Sequence, residues 1–197
     1  MGHDDHEHDH AHPHSHEHHG HEHHGEHRHD SPTSREHRAQ APAQVAAFVI
    51  TCSDSRGERE DETGAELRRL LEGAGHSLAG SRVVKDEAAQ IREAVEAAIA
   101  AGARAVIVNG GTGIGRRDVT IETVRALFEK ELPGFGELFR ALSFREIGTA
   151  AMLSRATAGT FRGAIVFALP GSPAAATLAM EQLILPELGH LVRELTR

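Results

Sequence analysis

From residue 45 onward the chain alternates between two hydrophobic rhythms. Short, continuous apolar runs rich in β-branched residues occur at 45–51 (VAAFVIT), at the start of 105–113 (AVIVNGGTG) and within 164–171 (AIVFALPG). Runs this short without polar alternation predict strands buried on both faces. SRVVKDE at 81–87 predicts a further strand followed by a turn. Between these runs the spacing turns helical. Leu67, Leu70, Leu71 and Ala74 share one helix face that closes near Gly73 or Gly75, and Ile91, Val95, Ala98 and Ile99 share another, closed by Gly102. Ile121, Val124, Leu127 and Phe128 predict a third helix, which Pro133 is expected to stop, and 137–156 predicts two short helical pieces. Ser172 and Pro173 form an N-cap and first-turn pair opening a helix to about Ile184. Pro186 is expected to interrupt it before a last helix holding Leu188, Leu191 and Leu195.

That order predicts an α/β fold: a three-layer α/β/α sandwich around a mostly parallel sheet, spanning 45–197. In such sheets ligands gather at the carboxyl ends of the strands. Here those ends read SDSR, VVKDE, NGGTG and LPGSP, so polar and glycine-rich residues collect on one rim.

Composition separates the first 44 residues from the rest. Fifteen of the 17 histidines lie between His3 and His37, interleaved with Asp, Glu and Gly. Such a segment buries too little apolar surface to offset its ordering entropy, so residues 1–44 are expected to be a disordered tail and linker. Neutral imidazoles such as His18, His19, His23 and His24 are ligands for Ni²⁺ or Zn²⁺, held in many interchangeable weak sites; a solvated extension with no selected role is the alternative. Residues 1–37 carry nine acidic residues against Arg28 and Arg35, whereas the remainder is nearly balanced. The domain shows no basic stripe and the chain has no Trp or Tyr, which argues against nucleic acid. No apolar stretch reaches the ~20 residues a membrane span needs, and the polar N-terminus lacks a signal core. The expected location is the cytoplasm. A lone Cys52 excludes an internal disulfide and reads as a buried structural thiol.

The most informative segment is NGGTGIGRRDVT at 109–120. Gly110, Gly111 and Gly113 let the backbone approach a ligand without Cβ obstruction, and successive amides there can form an anion-binding concavity. The competing reading is a tight strand-to-helix turn with Asp118 as its cap. The segment lacks the GK[ST] of a Walker A loop and fails the dinucleotide G-x-G-x-x-G spacing.

GGTGIGRRDVT resembles the signature of the MogA/MoaB family of molybdenum cofactor biosynthesis proteins. SDSR at 53–56 with DETG at 61–64, VVKDE at 83–87, PGFGELFR at 133–140, SFREIGTAAMLSRATAG at 143–159 and LPGSP at 169–173 resemble its other blocks, in order, over about residues 45–195. SDSR, the ELFR…SFREIG stretch and LPGSP lean toward the MoaB branch.

The resemblance implies Mg-ATP-dependent adenylylation of molybdopterin with release of pyrophosphate. It places catalytic, Mg²⁺-holding carboxylates at Asp86 and Asp118, and nucleotide and phosphate contacts at Gly110, Gly111, Thr112, Gly113, Ser53 and Asp54. Molybdopterin contacts fall at Ser143, Ser154, Arg155, Gly171 and Ser172. Asp86 has an alternative as a cap for the helix containing Ile91, and Arg116, Arg117 and Arg155 have one as solvated surface charges. The resemblance also implies other cofactor-biosynthesis proteins as partners and a homotrimer or hexamer. Phe135, Leu138, Phe139 and Leu142 are interface candidates, with core packing as their alternative. Two further readings compete: a molybdopterin carrier or scaffold with little catalysis, and a metal-handling protein whose domain merely carries the tail.

Overall fold

The computed structural model describes residues 42–55 and 60–197; the histidine-rich segment and the expectations placed on it lie outside the described residues. The elements are β1 (Ala46–Cys52), α1 (Glu62–Gly73), β2 (Ser77–Val84), α2 (Ala88–Ala100), β3 (Ala105–Asn109), α3 (Thr120–Arg125), β4 (Lys130–Glu131), α4 (Pro133–Ile147), a 3₁₀ segment (Gly148–Leu153), β5 (Thr157–Phe161), β6 (Ala164–Leu169), α5 (Pro173–Ala179), a π turn (Met180–Ile184) and α6 (Leu185–Glu194).

The six strands form one sheet in the order β2-β1-β3-β6-β5-β4. β1 pairs parallel with β2 and β3, and β3 pairs parallel with β6. β5 and β4 add antiparallel at the far edge. Both faces of the central strands are buried. Val49, Ile107 and Phe167 face one helical layer with Leu67, Leu71, Phe139 and Leu188, while Ile50, Val106, Val108 and Val166 face the other with Ile91, Val95 and Val124. Neighbouring strand residues point to opposite faces, and both faces are dry, so the apolar runs show no alternation. A Leu or Phe fully buried in either layer contributes about 1.5–3 kcal/mol by leaving water.

Several elements depart from the local pattern. β2 begins at Ser77, well before the apolar VV, because as an edge strand it is only partly covered and its periodicity is blurred. Its Gly80 lies flat on the Phe48 ring, where a Cβ would stand 2.6 Å from a ring carbon. Pro133 does not stop α3, which already ends at Arg125; it opens α4 at a first-turn position, where its missing N–H costs nothing. The two expected helical pieces of 137–156 are α4 and the 3₁₀ segment, parted at Gly148 with φ +61°. β5 has no apolar run of its own. It exists through a two-residue hairpin to β6, with Arg162 at φ 47° and Gly163 at φ 75°, the positive angles such a turn requires. Pro186 leaves the helical run from 173 to 194 unbroken: the π turn before it absorbs the register change its missing N–H imposes. No helix among the described residues is long and apolar enough to cross a membrane.

Candidate functional site

Where β1, β2, β3 and β6 end, their exits enclose a pocket of about 300 Å³. β1 supplies Thr51 through Asp54, β2 leads to Asp86, β3 leads to Asn109, Gly110 and Gly111, and β6 leads to Gly171. Glycine is required where these exits cross. Gly110 has φ +92° and a Cβ there would collide with the Cys52 carbonyl oxygen; one at Gly171 would lie 3.1 Å from the Gly110 Cα. Gly111 has φ +58°, and its missing Cβ is the space taken by the Asp86 carboxylate.

Of the carboxylates expected at the site, Asp54 and Asp86 line the pocket, whereas Asp118 does not line it but stands near enough for its charge to act on Asp86. Asp86 Oδ1 is buried and without a hydrogen-bond partner among the described residues. Desolvation raises the Asp86 pKa above its ordinary value, with repulsion from Asp54 and Asp118 adding to it; a hydrogen bond from the Asp54 backbone and the Arg117 charge oppose the shift. Neither aspartate caps a helix. The N-cap of α2 is Glu87 and that of α3 is Val119, both without side-chain capping bonds. Asp118 instead closes the glycine loop on itself: Gly115 donates to Asp118 Oδ2 at 2.8 Å, and the Asp118 amide donates back to the Gly115 carbonyl at 3.0 Å. Asp54 joins three segments, since its Oδ1 accepts from the Asp86 amide at 3.3 Å and its Oδ2 from both Nε and Nη2 of Arg117. Among the described residues, no three His, Cys, Asp or Glu side chains form a ready-made metal cage.

The amides of Gly111, Thr112 and Gly113 donate to no acceptor among the described residues, as an anion-receiving loop requires. Arg155 reaches this loop from the link between the 3₁₀ segment and β5: it donates to the Gly113 carbonyl at 2.9 Å and pairs with Glu122 on α3. Ser154 precedes it, half-buried. Ser172 sits exposed at the N-cap of α5 beside Gly171, without a side-chain capping bond. Ser143 is buried within α4, only 4 % exposed, and does not line the pocket. Cys52 is a buried free thiol whose pKa desolvation pushes up to about 12; the Thr120 hydroxyl lowers it and the Asp86 charge raises it. The residue lines the pocket beside the β1 exit.

Sequence reasoning missed a polar chain beneath the pocket. Asn109 Nδ2 donates to Thr51 Oγ1 at 2.9 Å and to the Ile50 carbonyl, and Thr51 Oγ1 donates to Asp61 Oδ2 at 2.8 Å. Asp61 also caps α1 through the Gly64 amide at 2.9 Å. Thr63 Oγ1 then reaches the Gly171 carbonyl at 3.0 Å, tying α1 to the β6 exit. An Asp directly before a helical pattern is an N-cap signal, so Asp61 was detectable. Its bond to a strand ten residues earlier was not.

Residues 46–190 match the family model described as "Probable molybdopterin binding domain". The chain belongs to the MogA/MoaB family of molybdenum cofactor biosynthesis proteins. Molybdenum cofactor biosynthesis protein B of Bacillus cereus is 51% identical over 168 residues, covering 82% of this chain and 97% of that protein. The Halalkalibacterium halodurans protein of the same name is 49% identical, covering 82% and 96%. Among solved structures, the tungsten cofactor synthesizing protein MoaB from Pyrococcus furiosus superposes with a TM-score of 0.75 at 41% identity, covering 80% of this chain and all of that one. A MogA structure gives 0.69 at 26% identity, covering 76% and 99%, so the chain stands nearer the MoaB branch. The family model leaves residues 1–45 and 191–197 outside its match.

Proposed function

We propose that this protein adenylylates molybdopterin at the pocket formed by the β1, β2, β3 and β6 exits. The observation that carries the reading is a glycine-lined pocket holding Asp54 and Asp86, with the Asp118 charge acting on Asp86, whose Oδ1 is buried and unpartnered among the described residues. Such a group calls for a cation. Mg²⁺ suits it, because that ion keeps several waters and takes one or two carboxylates plus substrate phosphates, so no ready-made cage is needed. Asp86 and Asp118 would hold it, and when bound it supplies charge neutralisation on the ATP phosphates.

The rest falls to the chain's own residues. Gly110 to Gly113, with Ser53 and Asp54, receive the nucleotide, the Gly111–Gly113 amides facing its phosphates. Ser154, Gly171 and Ser172 hold the molybdopterin side of the rim. An oxygen of the molybdopterin phosphate attacks the α-phosphorus of ATP; the new P–O bond forms as the α–β bridging P–O bond breaks, and pyrophosphate leaves with that electron pair. The attacking oxygen needs no strong base, so alignment and charge compensation account for the catalysis. Incubating the protein with molybdopterin, Mg²⁺ and ATP should yield adenylylated molybdopterin and pyrophosphate in equal amounts. Tight molybdopterin binding without product would make the protein a carrier.

We further propose self-association through the outer face of α4 and the 3₁₀ segment. Leu138, Phe144, Ile147, Met152 and Leu153 are each more than half exposed there, an apolar set that water penalises. Phe139, by contrast, is fully buried, and Phe135 packs edge-on against Phe167 at 5.2 Å, so both serve the core. The full chain should sediment as a trimer or hexamer, and Met152→Asp with Phe144→Asp should shift it toward monomer. A wild-type monomer at micromolar concentration defeats this assignment.

For the histidine-rich segment we propose, from composition alone, Ni²⁺ or Zn²⁺ binding. A chain starting at Gln44 should lose most of that uptake while keeping its thermal unfolding. Release from the full chain should begin as pH falls toward ~6, where imidazoles protonate. Equal uptake by both chains would contradict it.

A further inference from the structure

Among the described residues, Arg155 is the one site arginine whose guanidinium spans two different elements. Its Nη1 donates to the Gly113 carbonyl at 2.9 Å and its Nη2 pairs with Glu122 on α3. Its side chain is 28% exposed and that of Glu122 62%, so the arginine lies beneath the loop and the carboxylate outside it. The loop's other tethers hold different points: Arg117 pairs with Asp54 on the side of the β1 exit, and Asp118 bonds Gly115 within the loop, so on the α3 side Arg155 is what grips Gly113. The loop's outer residues Ile114 to Arg117 are exposed, Ile114 at 75%. At its far end, the Thr120 amide donates to the Gly111 carbonyl at 3.0 Å. Between those points stands Asp118, packed so closely under Gly113 that a Cβ there would lie 2.7 Å from Asp118 Oδ2.

We propose that Arg155 is a positioning residue: anchored by Glu122, it clamps Gly113 and so holds the glycine loop and Asp118 in place, and it does not itself contact ligand. The chemistry suits the role. A planar guanidinium presents parallel donors that engage a carbonyl and a carboxylate together, whereas an ammonium is a single point charge. A glycine-rich loop has the most backbone freedom to lose on ordering, so it gains most from an external tether. Both donors that reach the loop and α3 are already committed, leaving the arginine poorly placed to serve as a phosphate contact without letting Gly113 go. The structural part of this inference stands without the adenylyl-transfer reading; only its consequence for nucleotide rests on that reading.

The test uses the full chain with Arg155→Lys, Glu122→Gln and both together. Amide hydrogen exchange in the peptide covering 111–119 should quicken about tenfold or more in each single variant, since each loses a charge-assisted bond. The double variant should be no faster than Arg155→Lys, and exchange in β3 and β6 should stay at the wild-type rate. Affinity for Mg-ATP should fall by similar factors in both single variants. A direct ligand contact predicts the reverse for Glu122→Gln: it frees the guanidinium, so affinity should hold or rise. Unchanged loop exchange in either single variant, or tighter Mg-ATP binding in Glu122→Gln, overturns the proposal. A wild type that binds molybdopterin but transfers no adenylate would refute the enzymatic reading alone, and the exchange result would still judge the clamp.

Discussion

Asn in place of Asp118 should leave the protein folded and able to bind molybdopterin while adenylyl transfer falls by about 100-fold or more, the scale on which groups that place a metal or stabilise developing charge act. The substitution is mild in shape. The Asn amide oxygen can still accept the Gly115 N–H that Asp118 Oδ2 accepts at 2.8 Å, so the loop turn survives and only the charge is lost. Asp86→Asn should lose turnover to a similar degree, and the double variant should be little worse than either if both serve, as proposed, one metal–phosphate assembly. Stability separates this from a structural role. The Asp86 carboxyl titrates above its ordinary value through desolvation and the Asp54 and Asp118 charges. Its contribution to folding is therefore present at pH below the unfolded-state pKa and lost as pH rises through the higher folded value. At neutral pH the ionised group opposes folding, so Asp86→Asn should melt at or above the wild-type temperature. That advantage should shrink as pH falls toward the ordinary value of 3.8. Thermal melts at several pH values beside single-turnover product formation decide the matter; preserved turnover in both single variants would end the catalytic assignment.

Val in place of Gly111 should remove the pocket and weaken the fold together. Gly111 has φ +58°, and a side chain there would strike Asp86 Oδ1 and Thr120 Oγ1. Holding a β-branched residue in that backbone region costs about 1–3 kcal/mol, and overpacking adds ~1–3 kcal/mol. If the chain relaxes to avoid the collision, Asp86 must leave the space it occupies, so Mg-ATP binding should disappear along with transfer. Denaturant unfolding and nucleotide titration measure the two effects separately. Wild-type nucleotide affinity in this variant would show that the loop is only a turn. Gly102, with φ +93° and open space where a Cβ would stand, supplies the control: Ala there should cost stability through its backbone angle alone and leave nucleotide binding intact.

How legible each residue was depended on how local its determinants are. The carboxyl-end positions of the glycines follow from β3 and β6, whose apolar runs announce them, and that of Asp86 from the VV pair that closes the weaker β2, so their gathering on one rim was readable before any pairing was known. Arg155 is the opposite case: as a residue type and position it resembled a ligand contact, yet its partners Gly113 and Glu122 lie 42 and 33 residues away. The same holds for Asn109 at the end of β3 and Thr51 one residue short of the end of β1, unremarkable polar residues 58 positions apart that meet only because β3 pairs with β1 at Thr51↔Asn109.

Burial and backbone chemistry are written locally into the chain, and they set the central strands β1, β3 and β6, the amphipathic faces of α1 and α2, and the glycines whose positive φ shapes the loop. Hydrophobic periodicity reports burial, and glycine reports backbone freedom, one short stretch at a time. The edges and the partnerships came only with the folded arrangement. β2, β4 and β5 are half-covered or short, so their pattern is weak until a neighbouring strand supplies hydrogen bonds. Likewise the pairing of Arg117 with Asp54, the tether of Arg155 to Gly113 and the unpartnered oxygen of Asp86 arise from strand order and register. Those are properties of contacts between distant segments, which no local pattern contains.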